Sequence, residues 1–302
     1  MNSFTIMIDT GADLPREYID EHGIAVIPIP FHIDGVQHNG GSWQEISDKE
    51  FYNALRDGSV AGTALINPEA FAEVFTDYAE RGEDLIVLTL SSGLSGTYQN
   101  SVIALEEVKE KYPDCGIYSI DSTNAAAGIG LLTVLAVKKR AEGLTAGETA
   151  AWLEEKKHSC LSLFTVDDLM FLHRGGRLSK VSAIAGSIIG IKPLLNVAPD
   201  GTLKLKDKAR GRKGALERLA AQLKRSLKEG TSLDTILISH SNCLKDAEIL
   251  AGLIGASVKV KETKIVMMGP VIGAHVGPGT VALFFEADMT RSEYEAKFYP
   301  EK

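Results

Sequence analysis

Two hydroxyl residues, one histidine and a pair of arginines have the types and positions that could hold an anion. Ser95 lies in Ser91-Ser92-Gly93-Leu94-Ser95-Gly96-Thr97, where an apolar run over 84–90 gives way to a helical pattern. A strand-to-helix loop of this kind offers unpaired backbone N–H groups, the positive end of a helix dipole and a serine donor. Gly96 would let a ligand approach the backbone. The same residues also fit a plain turn whose Ser and Thr cap a helix. Thr63, in Ala61-Gly62-Thr63-Ala64-Leu65-Ile66-Asn67-Pro68, stands in a loop before a helix begun by Asn67 or Pro68, and such a hydroxyl often serves only the turn. Arg174 and Arg177 flank Gly175-Gly176 ahead of an expected helix; either could hold a carboxylate or pair with Asp167 or Asp168. His275 is central to Met268–Thr280, a loop rich in Gly and Pro whose conformational freedom is costly unless its backbone must approach something. The other six histidines read as ordinary structural residues.

The chemistry these residues could perform divides two ways. Binding of a carboxylate needs only donors. Hydrolysis of an acyl ester would use Ser95 as nucleophile, with Asp167 or Asp168 and His275 following in the order Ser, Asp, His of α/β-hydrolases; the Gly-x-Ser-x-Gly elbow is imperfect, with Thr97 in its last position. Asp167 and Asp168 have no further carboxylates or histidines at ligand spacing, so no metal is expected. No P-loop, kinase or metal-hydrolase motif occurs.

The elements that must position these groups form an α/β pattern. Strand-like runs at 4–8, 24–31, 84–90 and 116–120 alternate with helical periodicity at 48–56, 68–81, 97–112 and 125–140, the signature of a parallel sheet. Pro68 suits a first helical turn, and Thr145 with Glu148 predicts a capping box. From residue 161 strand-like runs dominate (161–166, 191–197, 202–208, 235–240, 257–264, 280–286), with about three helices between them. Pro199-Asp200-Gly201 predicts a hairpin, so part of the second sheet is expected to be antiparallel. The expected organisation is an N-terminal parallel-sheet α/β domain over 1–160, a C-terminal mixed or antiparallel sheet with helices over 161–290, and a polar tail over 291–302 that adds little to the core.

With 302 residues, 44% hydrophobic and 24% charged, the chain is long enough for two cores. Its net charge of -8 lacks the general basic footprint of a nucleic-acid or anionic-membrane binder. Locally, residues 203–228 carry ten basic residues against Asp207 and Glu217, either a solvated face or a docking surface for an acidic partner, in which Arg210 and Arg212 are the candidates. Cys115, Cys160 and Cys243 are odd in number and unpaired in spacing, which fits a reducing cytoplasm. The start reads as a strand rather than a signal peptide, and no apolar run reaches the ~20 residues of a membrane span.

Taken together, "SSGLSGT", "FTVDDLMFLHRGGRLS" and "GPVIGAHVGPG", in this order and spacing, make the chain resemble the bacterial DegV family of fatty-acid-binding proteins from Asp9-Thr10 to Phe284-Phe285. The resemblance implies an acyl chain clamped in a tunnel between two domains, with Thr63 and Ser95 as the carboxylate-binding hydroxyls and His275 as the glycine-loop histidine. It places Arg174 and Arg177 in the arginine-bearing turn. It further implies lipid transport in fatty acid metabolism, with a long-chain acid such as palmitate as the only bound group. The acid would be delivered to a separate ATP-dependent fatty acid kinase that makes an acyl phosphate, without turnover by this chain. The sequence departs from the family after Thr63, where Ala64-Leu65-Ile66 replaces a usual Ser, Gln and Pro and removes one hydroxyl donor. At ~0.8 kcal/mol per buried CH₂, roughly sixteen carbons would supply on the order of 10 kcal/mol before ordering costs, so the tunnel would set affinity and the polar groups orientation.

Overall fold

The computed structural model describes residues 4–39, 46–178 and 190–300. The chain begins with β1 (Thr5–Asp9), α1 (Arg16–Glu21), β2 (Ala25–Ile27), β3 (Phe31–Ile33), β4 (Val36–His38), α2 (Asp48–Arg56), β5 (Ala61–Thr63) and α3 (Pro68–Arg81). It continues through β6 (Leu85–Thr89), α4 (Thr97–Lys111), β7 (Ile117–Asp121), α5 (Ala127–Ala141), α6 (Ala146–Lys156), β8 (Cys160–Thr165) and α7 (Met170–Arg174). The remainder is β9 (Ile191–Val197), β10 (Leu203–Arg210), α8 (Gly211–Arg225), β11 (Ser232–His240), α9 (Leu244–Gly255), β12 (Lys259–Met267), α10 (Pro270–Val276), β13 (Val281–Glu286) and α11 (Arg291–Phe298).

In the first half, β2-β1-β6-β7 form an all-parallel sheet whose central β6 is buried at every position, as a strand covered on both faces must be. Local chemistry sets the helix ends. Asn67 accepts from Ala70 N–H and Pro68 opens α3, Gly82 closes it in the left-handed region, and the Thr145–Glu148 capping box starts α6 as the sequence predicts. The second half is built on a six-stranded mixed sheet, β10-β9-β8-β13-β11-β12, in which β11 and β12 are parallel and the other pairs antiparallel. The β9–β10 hairpin turns at the predicted Pro199-Asp200-Gly201. Helices α8 and α9 cover one face of this sheet around their own apolar cluster. Helix α5 lies between the two sheets, touching β1 and β6 on one side and β8, β11 and β13 on the other, which is why it is apolar nearly all round.

Four expectations are corrected. The run 24–31 is two strands in different sheets, because Pro28 and Pro30 cannot donate to a ladder and break it between β2 and β3. Thr63 is not in a loop: it ends β5 of a small antiparallel sheet, β4-β3-β5, opposite Phe31. The glycine-rich segment around His275 is not loop throughout, since Pro270 starts the seven-residue α10. The polar tail is not peripheral: its Thr290–Glu293 capping box starts α11, which buries Arg291 and Tyr294 to 2% and 1% exposure. The helix expected after Ser179 falls outside the described residues.

Candidate functional site

The loops leaving the C-terminal ends of the parallel strands face the second sheet, the usual ligand crevice of such folds. Asp9, at the end of β1, accepts from Gly11 and Leu90 N–H groups and so ties the β1 and β6 loops together; burial pushes its carboxyl up to about 6. Thr10 Oγ1 accepts from Ile29 N–H, fixing the β2–β3 connection. Between these loops, β5, α10 and the inner face of the second sheet lies a partly enclosed apolar cavity lined by both halves of the chain.

Most of its wall is apolar: Ile29, Leu90, Phe164, Leu172, Val197, Leu203, Val271, Ile272 and Phe284 come from both halves of the chain. The polar side chains are few. Thr63, Ser95, Arg177 and His275 all line it, together with Ser162 and Thr280.

Thr63 Oγ1 and His275 Nε2 are 2.8 Å apart, joining β5 to α10 across 212 residues of sequence. Burial, and secondarily the Arg177 guanidinium, lower the His275 pKa from 6.5 to about 4, so the ring is neutral at physiological pH. With its proton on Nε2 it donates to Thr63, whose own O–H is then free to turn into the cavity. His275 Nδ1 is buried without a partner, and a Cβ on Gly175 would lie 2.5 Å from it, so glycine there makes room for the ring. Ser95 Oγ accepts from Thr97 N–H at 3.2 Å and sits 3.0 Å from Thr97 Oγ1. Those contacts tie Ser95 to the first residue of α4. Arg177 donates to Leu94 O and Gly175 O, fastening the arginine turn to the serine loop. These groups can hold one anionic head by hydrogen bonds while the apolar wall takes a chain.

Gly96 does not line the cavity. It precedes α4, with Leu65 packed over it where the sequence departs from the family pattern. Arg174 is exposed and bonds Met170 O. Neither Arg174 nor Arg177 pairs with Asp167 or Asp168: Asp167 takes Lys192 and Arg212, and Asp168 caps α7 at Met170 N–H. No hydrogen bond among the described residues joins Ser95 to His275, or His275 to either aspartate, so the geometry gives the hydrolase alternative no relay. Arg210 is exposed at the end of β10, whereas Arg212 turns inward to Asp246 and Gly279 O. Several other basic residues of this stretch are also engaged, Lys206 with Glu295 and Arg218 with Asp207. No group of three metal-binding side chains, and no helix long and apolar enough to cross a membrane, occurs among the described residues.

The sequence reading missed Ser162 and the pair Ala125-Ala126. The only signal for Ser162 was a polar residue at an inward position of a buried strand. Ala126 carries a φ of 55° that no residue-type pattern announces.

A DegV domain-containing protein of Clostridium perfringens is 40% identical over 288 residues, covering 95% of this chain and 99% of that one. Among solved structures, a Thermotoga maritima protein described as having fatty acid binding function superposes with a TM-score of 0.82 at 30% identity, covering 95% of this chain and all of the other. A fatty-acid-binding DegV family protein from Thermus thermophilus gives 0.83 at 28% identity, covering 94% and 99%. Residues 3–288 match the family model described as uncharacterised protein, DegV family, and with these likenesses along nearly its whole length the chain belongs to the DegV family.

Proposed function

We propose that this protein binds a long-chain fatty acid, the alkyl chain in the apolar cavity and the carboxylate at Thr63 and Ser95, and presents that carboxylate to a separate fatty acid kinase. The observation that carries the reading is one apolar cavity whose hydroxyls are backed by a neutral histidine: Thr63 against His275 at 2.8 Å, with Ser95 and Arg177 on the same wall. The fatty-acid-binding relatives from Thermotoga maritima and Thermus thermophilus support it. Hydroxyl donors suit a head group that must later react, because they orient the carboxylate without locking it in a full ion pair, and the Arg177 guanidinium is engaged by Leu94 O and Gly175 O. The exposed Arg210 remains a candidate for the kinase-facing surface, while Arg212 is occupied in holding the fold.

Mass spectrometry of organic extracts from the purified protein tests the reading. The expected result is a non-covalently bound acid of about 14 to 18 carbons, the length range methylene burial rewards. Recovering no lipid, together with no heat of binding on adding palmitate or oleate, would overturn it.

A further inference from the structure

Arg291 has the largest fully buried side chain among the described residues, at 2% exposure. Its guanidinium meets no carboxylate. It donates to Cys160 O at 3.0 Å, Lys157 O at 3.2 Å, Thr123 O at 2.6 Å and Thr123 Oγ1 at 3.1 Å. Lys157 O lies at the C-terminal end of α6, where a helix dipole favours a cation, and Cys160 O at the start of β8. Arg291 itself opens α11, where the dipole disfavours one. Burial pulls its pKa down only to about 10, so the charge persists at neutral pH. Asp121 steadies the charge only from beyond ion-pair distance, so burying this cation is costly, and what it grips is the informative point.

It grips Thr123, which adopts φ 48°, an outlier for a β-branched residue. Three residues later Ala126 adopts φ 55° and ψ -143°, a region nearly reserved for glycine. The other described non-glycine residues with positive φ are Asp34 and Asn242, types that tolerate it. Ala125 and Ala126 line the apolar cavity, and Asn124 between them and Thr123 accepts from Ser162, another lining residue. The strained stretch therefore reaches the cavity wall at Ala125 and Ala126, and the guanidinium holds its outer end together with Asp121, which accepts from Thr123 N–H.

We infer that Arg291 is a positioning residue for the ligand: through Thr123 it holds the 123–126 segment in its strained path, and this sets the width of the cavity along the alkyl chain. Helix α11 is then part of the binding apparatus although it touches no ligand. The inference rests on the fatty-acid reading, but one arm of its test needs no ligand at all.

That arm is a double-mutant cycle on melting temperature. Ala126→Gly relieves the strain and is expected to raise the Tm of the otherwise native protein by about 2 °C or more. In the Arg291→Met background, where the wall relaxes, the same change is expected to give less than half that gain. Thr123→Val, which removes the hydroxyl that accepts from Arg291 and donates to Ser122 O, stands in if Arg291→Met fails to fold, with the same sign and a smaller coupling. The second arm measures displacement of a fluorescent fatty acid by saturated acids of 12 to 18 carbons. The clamp variant is expected to lose most of the native discrimination by chain length while keeping its preference for free acid over methyl ester. A purely structural role would lower Tm and leave that length profile unmoved. Additive Tm shifts, or an unchanged profile in the folded variant, overturn the inference. A native protein that binds none of the acids overturns the fatty-acid reading instead, and the Tm cycle then decides the clamp alone.

Discussion

The head and the body of the cavity are built on opposite terms. At the head, Thr63, Ser95, Arg177 and His275 come from four separate elements and are each held by a named hydrogen bond. In the body, Phe164, Val197, Leu203, Ala282 and Phe284 come from one continuous sheet and are held only by packing. Hydrogen bonds are directional and individually small after exchange with water, whereas methylene burial is undirected and accumulates. The division therefore assigns orientation to the head and affinity to the body.

The strongest way to break that division is to fill the body. Ala282, 4% exposed on β13, lines the cavity, and Ala282→Trp should displace about four methylenes, costing about 3 kcal/mol or roughly 100-fold in affinity. Calorimetry with palmitate on protein of native circular dichroism checks this; an unchanged Kd would mean the chain lies elsewhere. A smaller, sharper effect is expected at the head. Ser95→Ala and Thr63→Val should each weaken palmitate by about 1–3 kcal/mol and barely alter binding of its methyl ester, which lacks the charge these donors serve. Equal losses for acid and ester would remove the hydroxyls from the head group.

The smallest effect is in pH. The His275 ring takes up a proton near pH 6.5 when unfolded but only near 4 when folded, so between those values the unfolded state binds more protons and stability falls as pH falls. The contribution of the neutral ring is complete above pH 6.5. Tm should therefore drop more steeply over this window for the native protein than for His275→Gln; parallel curves would mean that the buried ring charges freely.

The same contrast explains what the sequence made legible. Ser95 and Arg177 were readable as candidates beside a plain-turn or ion-pair use, because Gly-flanked polar residues between periodic segments stand out, and the capping box at Thr145–Glu148 is a local code that survives tertiary context. Thr63 was readable as a residue and not as a strand, since Ala61–Thr63 is too short for alternation to declare itself and is extended by pairing with β3. In α10, Pro270 at the first turn was the available sign of a helix, masked by Gly269, Gly273, Gly277 and Gly279 around it. Gly273 is required by close approach of Tyr52 and Phe51, and Gly277 by a φ of 71° with Phe171 alongside. The body was not legible, because inward apolar residues of a cavity wall and of a solid core have the same pattern. Nor could composition show that α11 is anchored: its buried arginine reads as surface charge until its carbonyl partners are known.

The contact between Thr63 and His275 also fixes when, in the life of the chain, binding can begin. At about 5–20 residues per second, a ribosome that has released Thr63 needs roughly 10–40 s to make its partner 212 residues later. Tyr52 likewise waits for Met268 O, and Asp13 for the amide of Gly269. The nascent first half must therefore stand with Thr63 unpartnered by His275 and its share of the cavity wall bare to water. On the fatty-acid reading, ligand capture is a property of the finished chain, and the last steps of folding and the creation of the binding site are the same event.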